Sequence, residues 1–280
     1  LNDKVTAKND ILRATQTPII GEVGHSDDHQ VLVTKMGVRN IISEQFRVIR
    51  TNLPFIVGNN PKPVIMVTSS MSGEGKSFIS ANLAGILALT GKKTVILEFD
   101  LRKPKIAANL KVNRVVGLSN YLVGQANLDQ LPQKVEDVEN LYLIACGPIP
   151  PNPGELLLDP RFGDLFDYLK REFEYIVIDT APVGLVSDAM VLGRYADCVF
   201  YVIRQRYTMK KQLQFINELY TQNKLPKLSL VVNDVRNTGG YGYGYGYGYG
   251  YGYGYGGYYG KEPSRKSFSW KWTKKKKPGA

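Results

Sequence analysis

Apolar residues recur along this chain in two rhythms. Ile41, Ile42, Phe46, Ile49 and Leu53 fall near helical spacing and predict a helix over residues 36–53. Short runs rich in Val and Ile, at residues 64–68, 94–99, 141–145, 175–179, 198–203 and 228–233, predict strands. Those runs have no polar alternation, so both faces of each strand are expected to be covered. Helical patterns separate them at residues 76–90, 160–173, 187–194 and 208–222. Pro61 and Pro63 bound the first strand, and Gly91 suits a C-terminal cap for the helix before it. Strands alternating with helices predict an α/β class, a mostly parallel sheet with helices on both faces and right-handed crossovers.

Residues 1–35 are polar and weakly periodic, and read as a linker. The core domain is expected over residues 36–238. At residue 239 the composition breaks: residues 239–260 are twelve Gly and ten Tyr, mostly in strict alternation. Such a stretch has no aliphatic residue for a core, and glycine makes ordering costly, so residues 239–280 predict a flexible tail. The net charge of +11 sits largely there. Residues 261–280 hold eight Lys or Arg against Glu262, leaving +4 for the rest. Basicity is thus a tail property and argues against a nucleic-acid-binding fold. Hydrophobic residues make up 43%, enough for a core, and no apolar run approaches membrane-spanning length. The chain starts at Leu1 without a secretion signal, which suggests a fragment of something longer. Cys146 and Cys198 both lie in apolar runs, which fits buried thiols in a reducing, cytoplasmic setting.

The first strand leads into Ser70-Met71-Ser72-Gly73-Glu74-Gly75-Lys76-Ser77, and a helix follows. This matches the phosphate-loop pattern G-x-x-x-x-G-K-[ST], with Ser70 in place of the first glycine. Glycines let backbone N–H groups converge on phosphate oxygens at a helix N-terminus. Lys76 is placed to reach the outer phosphates and Ser77 to bind Mg²⁺. The bland alternative is a glycine-rich turn with a surface lysine, which the flanking strand and helix disfavour. An apolar strand then ends at Asp179-Thr180-Ala181-Pro182, where a carboxylate belongs beside the metal. A third element, Glu98-Phe99-Asp100-Leu101-Arg102, ends another strand. Glu98 and Asp100 are two apart and are expected to point the same way, as a metal-linked ligand and a general base. Arg102 is a candidate for stabilising charge on the transferred group. A solvated strand end is the ordinary reading of that triplet taken alone.

Together these three motifs, over about residues 36–260, resemble the bacterial tyrosine kinases that accompany capsule and exopolysaccharide polymerisation. Those are P-loop ATPases related to the partitioning and septum-placement ATPases. The resemblance implies a P-loop NTPase-like fold using ATP and Mg²⁺ as cofactors. It implies catalytic roles for Lys76, Glu98, Asp100, Arg102 and Asp179, and nucleotide contacts from Ser72, Gly73, Glu74, Gly75, Lys76, Ser77 and Phe78. Ser77, Asp100 and Asp179 become the metal ligands, and Asn233 an adenine contact. The family pattern is D-x-D-x-R, so Glu98 lengthens one arm and leaves two candidates, Glu98 and Asp100, for removing the tyrosine proton. Glu44, Arg47 and Arg50 form E-x-x-R-x-x-R, which in this family joins subunits into a ring; a spacing of three puts them on one helical face. The phosphoacceptors implied are Tyr241, Tyr243, Tyr245, Tyr247, Tyr249, Tyr251, Tyr253, Tyr255, Tyr258 and Tyr259, modified by a neighbouring subunit.

The resemblance further implies partners: other copies of the chain, a membrane polysaccharide co-polymerase segment fused upstream or acting as a separate subunit, and a cognate tyrosine phosphatase. It implies a place on the cytoplasmic face of the bacterial inner membrane. Two competitors stand beside this reading. One is a switch ATPase of the partitioning or septum-placement type, which usually carries a lysine where this chain has Met71, and usually lacks a tyrosine ladder. The other is a membrane or nucleic-acid adaptor working through Trp270, Trp272 and the terminal lysines. His25 and His29 bracket Asp27 and Asp28, but a linker offers no outer shell to orient metal ligands.

Overall fold

The computed structural model describes residues 3–27, 30–35, 37, 40–149, 153–183 and 188–236. In chain order the elements are α1 (Lys8–Ala14), β1 (Ile19–Gly24), α2 (Ile41–Val57), β2 (Val64–Ser69), α3 (Lys76–Ala88), β3 (Thr94–Phe99), α4 (Ile106–Asn109), α5 (Leu118–Leu122) and β4 (Gln133–Lys134). They continue as β5 (Leu141–Ile144), α6 (Pro153–Leu156), α7 (Arg161–Glu172), β6 (Tyr175–Thr180), α8 (Asp188–Leu192), β7 (Cys198–Arg204), α9 (Lys210–Thr221) and β8 (Leu228–Val235). The eight strands form one sheet in the order β1-β8-β7-β2-β6-β3-β5-β4. Every pairing is parallel except β4 with β5. This is a P-loop NTPase-like α/β fold.

All six residues of β2 and all six of β3 are buried, as strands covered on both faces must be. Successive side chains alternate between two apolar cores. Met66, Leu97 and Ile178 join the core that includes Phe162, Leu165 and Ile216 of α7 and α9. Val67, Ile96 and Val177 join the one that includes Phe46, Ile49 and Leu83 of α2 and α3. The chain runs from β2 over α3 to β3, and β6 later inserts between those strands. Strand order therefore reverses about β2, and the crevice at the carboxyl ends of β2, β3 and β6 is where such sheets bind ligands.

Two expectations change. The segment read as a linker contributes α1 and β1, and β1 pairs in parallel with β8 at the sheet edge. Its strand is bulged, and Gly21, Glu22 and Gly24 interrupt the aliphatic run that marks a strand in sequence; Gly21 packs against Ile49 of α2. The helix expected over residues 36–53 starts at Ile41, where the Asn40 side chain accepts from the Ser43 N–H at 2.7 Å. It then continues through Pro54 to buried Val57 before Gly58, at φ +66°, ends it. Among the described residues no helix is long and apolar enough to cross a membrane. Both cysteines are free and buried, and burial pushes the Cys198 thiol up to about 12.

Candidate active site

The phosphate loop joins β2 to α3. Gly73 and Gly75 take φ of +90° and +97°, conformations that favour glycine. Space excludes a side chain as well: a Cβ on Gly75 would lie 2.0 Å from Asn233 Nδ2, and one on Gly73 would lie 2.7 Å from the Tyr207 hydroxyl. Ser70, where the motif has its first glycine, does not need a positive φ. Its Oγ lies 2.9 Å from the buried Tyr201 hydroxyl. The loop therefore trades a glycine for a polar anchor.

Lys76 opens α3 and is buried, with Nζ 3.2 Å from Ser69 Oγ. Burial lowers its pKa, while Asp179, Asp100 and Glu74 act in the opposite direction. Asp179, at the end of β6, is 1% exposed. Its two oxygens accept from Ser77 Oγ and Ser80 Oγ, each at 2.9 Å. Burial pushes its carboxyl up to about 7, opposed chiefly by Lys76. Asp100 sits just past β3, partly exposed, with Oδ1 accepting the Lys103 N–H at 3.0 Å. It acts electrostatically on both Lys76 and Asp179. Lys76, Ser77, Asp100 and Asp179 thus converge on one crevice.

Glu98 requires a correction. Opposite Asp179 in the β3–β6 register, it shares that sheet face, yet it is fully buried. Oε1 accepts the N–H groups of Ile106 at 2.7 Å and Ala107 at 3.1 Å, and Oε2 accepts that of Cys146 at 3.3 Å. Its longer arm reaches past the crevice and fixes the start of α4 and the end of the β5 segment. Both of its oxygens are thus engaged by backbone donors, whereas Asp100, two residues on, stays partly exposed.

Other candidates are also redirected. Glu74 points inward and is fully buried, so only its backbone faces a ligand. Phe78 packs edge-on against Phe46, with ring centroids 6.0 Å apart. Asn233 Nδ2 donates to the Glu74 carbonyl at 3.0 Å. Ser72 offers its carbonyl to the Tyr207 hydroxyl at 2.9 Å. Arg102 is half-exposed, with Nε 3.8 Å from the buried Asp188 carboxylate. On α2, Arg47 pairs with Glu44, while Arg50 Nη1 lies 3.4 Å from the Ile86 carbonyl of α3. Tyr241–Tyr259 lie outside the described residues, as do His29 and Asp28. His25 pairs with Asp234 at 2.5 Å.

Sequence reasoning missed Ser80, Tyr201, Arg204, Tyr207 and Asp188. Ser80 alone left a signal, since Ser77 and Ser80 are three apart on one helical face. The others arrive from β7, its following turn and α8, and only folding brings Tyr201, Arg204 and Tyr207 to the loop and Asp188 to Arg102.

Among the described residues no three or more His, Cys, Asp or Glu gather as a metal cage. Ser77 Oγ and the Asp179 carboxylate are hard oxygen donors of the kind Mg²⁺ takes alongside phosphate and water.

A phosphate-cradling loop, a buried lysine and a strand-end aspartate at a sheet reversal define a P-loop nucleotide-binding protein. The sequence accordingly matches the CobQ/CobB/MinD/ParA nucleotide-binding domain family over residues 65–242. Within that class, the tyrosine-protein kinase YwqD of Bacillus subtilis is 34% identical over 195 residues, 70% of this chain and 82% of that one. The kinase domain of the Escherichia coli tyrosine kinase ETK superposes with a TM-score of 0.74 at 26% identity, covering 86% of this chain and all of that domain. The chimerical protein CapA2B2 gives 0.73 at 31% identity, over 81% and 98% of the two chains. The chain belongs to the bacterial tyrosine-protein kinases.

Proposed function

We propose that this chain transfers the γ-phosphoryl group of ATP to tyrosine hydroxyls, among them the tyrosines of its own tail. The observation that carries this reading is the convergence of Lys76, Ser77, Asp100 and Asp179 at the ends of β2, β3 and β6. The α3 N-terminus and the loop N–H groups hold the phosphates, and Lys76 turns from Ser69 to an outer phosphate oxygen. Ser77 and Asp179 would hold Mg²⁺, which would supply charge neutralisation on the phosphate oxygens. A phenol has a pKa near 10, so Asp100 accepts its proton as the new O–P bond forms and the bond to the leaving diphosphate breaks.

The acceptor tyrosines come from a neighbouring subunit of a homo-oligomeric ring. Supporting this, α2 leaves Ile41 (61% exposed) and Phe55 (87%) in solvent beside Glu44. They are fourteen residues apart, so they share one face of the helix, as an interface stripe would. Each phosphotyrosine adds about −1.5 to −2 charges, so six would add roughly −9 to −12 against the chain's +11. Phosphorylation thereby turns the basic tail acidic and changes how tails meet their neighbours in the ring, and that cycle regulates polysaccharide polymerisation and export at the inner face of the membrane. A cognate tyrosine phosphatase and a membrane co-polymerase segment complete the proposed cycle, and the resemblance to the capsule kinases supports them.

Phosphotyrosine mass spectrometry after incubation with ATP and Mg²⁺ tests the reading, beside a Lys76→Met control. Phosphate on Tyr241–Tyr259 in the unmutated chain alone supports it. ATP bound or hydrolysed with no tyrosine modified would leave a switch ATPase instead.

A further inference from the structure

The phosphate loop is held from behind by a second element that the motif does not contain. Three successive loop carbonyls each accept from a different side chain. Tyr207 donates its hydroxyl to Ser72 O at 2.9 Å, Arg204 Nη1 donates to Gly73 O at 3.0 Å, and Asn233 Nδ2 donates to Glu74 O at 3.0 Å. Tyr207 and Arg204 belong to β7 and the turn after it, and Asn233 to β8. A trans peptide is planar, so its N–H points opposite its C=O. Fixing the carbonyls of Ser72, Gly73 and Glu74 outward therefore fixes the N–H groups of Gly73, Glu74 and Gly75 toward the concave side. Those are the donors that a phosphate uses.

The Glu74 side chain locks the same arrangement from inside. The Arg204 N–H donates to Thr208 Oγ1 at 2.8 Å, and Thr208 Oγ1 donates to Glu74 Oε1. The Met71 N–H donates to Glu74 Oε2 at 2.7 Å. The donors run one way, from the turn and from the start of the loop, and end on a group that only accepts. Glu74 and Thr208 are both fully buried. Burial raises the Glu74 pKa, and these hydrogen bonds and Lys76 act against the rise.

We infer that Glu74 and Thr208 are positioning residues that, with Tyr207, hold the phosphate loop in its binding shape before any nucleotide arrives. The inference rests on the nucleotide-binding reading above. A loop ordered in advance spares the bound state that ordering cost. Loosening it should therefore weaken binding more than the chemical step.

The test is nucleotide affinity by titration calorimetry with ADP·Mg²⁺, together with steady-state kinetics in ATP, on the full chain. Thr208→Val keeps the shape of Thr208 and removes its hydroxyl, while Thr208→Ser keeps the hydroxyl. Loss of one buried charge-assisted hydrogen bond predicts about tenfold weaker binding and a similar rise in KM for Thr208→Val, with kcat within about threefold. Thr208→Ser should restore affinity to within about twofold on the same scale. Equal affinity of wild type and a folded Thr208→Val would overturn the inference, as would a Thr208→Ser as weak as Thr208→Val. Should Thr208→Val not fold, Tyr207→Phe decides: its hydroxyl is at the surface, and unchanged affinity there counts against the brace. A wild-type chain that binds no ADP·Mg²⁺ would instead overturn the nucleotide-binding reading beneath it.

Discussion

Replacing Glu98 by alanine separates a carboxylate that builds the fold from one that performs chemistry. The variant strands the N–H groups of Ile106 and Ala107, which now donate at 2.7 and 3.1 Å, and releases the longer contact from Cys146 at 3.3 Å. A buried donor left unpaired costs about 1–3 kcal/mol, so two well-made bonds and one long one total about 4 kcal/mol. Removing a buried charge returns part of that, which leaves about 3 kcal/mol of net destabilisation. For a domain of this size the melting temperature should fall by about 6–12 °C. Glu98→Gln is the informative partner. Its carbonyl oxygen can still accept both Ile106 and Ala107, because those bonds share Oε1, and only the contact with Cys146 is lost. It should cost about 1 kcal/mol. Thermal unfolding followed by circular dichroism measures both, and tail phosphorylation is assayed well below each midpoint. The expected order of stability is wild type, then Gln, then Ala, with activity in Glu98→Gln kept within about tenfold, short of the loss expected on removing a general base. A Glu98→Ala melting within about 2 °C of wild type, well short of the shift a lost buried bond network produces, would refute the reasoning. So would a Glu98→Gln that is stable yet inert, which would return Glu98 to the proton transfer.

Asp100→Asn should behave oppositely. Among the described residues its partly exposed side chain accepts one turn N–H, so the melting point should hold while tyrosine phosphorylation drops about 10²–10⁴-fold; normal rates in a phosphotyrosine assay would remove it as the base. Gly75→Ala forces a Cβ to within 2.0 Å of Asn233 Nδ2 at a φ of +97°, so ADP titration should show nucleotide binding abolished or the protein unfolded. The Asp10 carboxyl is held below its ordinary pKa, first by Lys210 and then by the Thr6 N–H. Its contribution to stability is therefore complete above the unfolded carboxyl value near pH 4 and is lost as pH falls below it. Urea midpoints measured between pH 5 and pH 2 should fall less steeply in Asp10→Asn than in wild type, and parallel slopes would contradict this.

The sequence alone determined the elements whose physics is local. Short Val- and Ile-rich runs without polar alternation, bounded by turn residues, fit strands covered on both faces, and the sheet has them at β2, β3, β5, β6, β7 and β8. Gly75-Lys76-Ser77 between a strand and a helix is a phosphate loop because glycine conformations and a helix N-terminus act within a few residues. What tertiary structure decided is direction and company. β1 escaped notice because six bulged residues gain their strand character only by pairing with β8, two hundred residues away. Glu98 and Asp100 look equivalent in sequence, two apart at a strand end. They differ because α4 and the β5 end close over one and leave the other open. Glu74 reads as a ligand-facing loop residue, yet Thr208 draws its carboxylate into the protein. A buried carboxylate must find donors, and which donors lie nearby is a property of the folded chain rather than of its motifs.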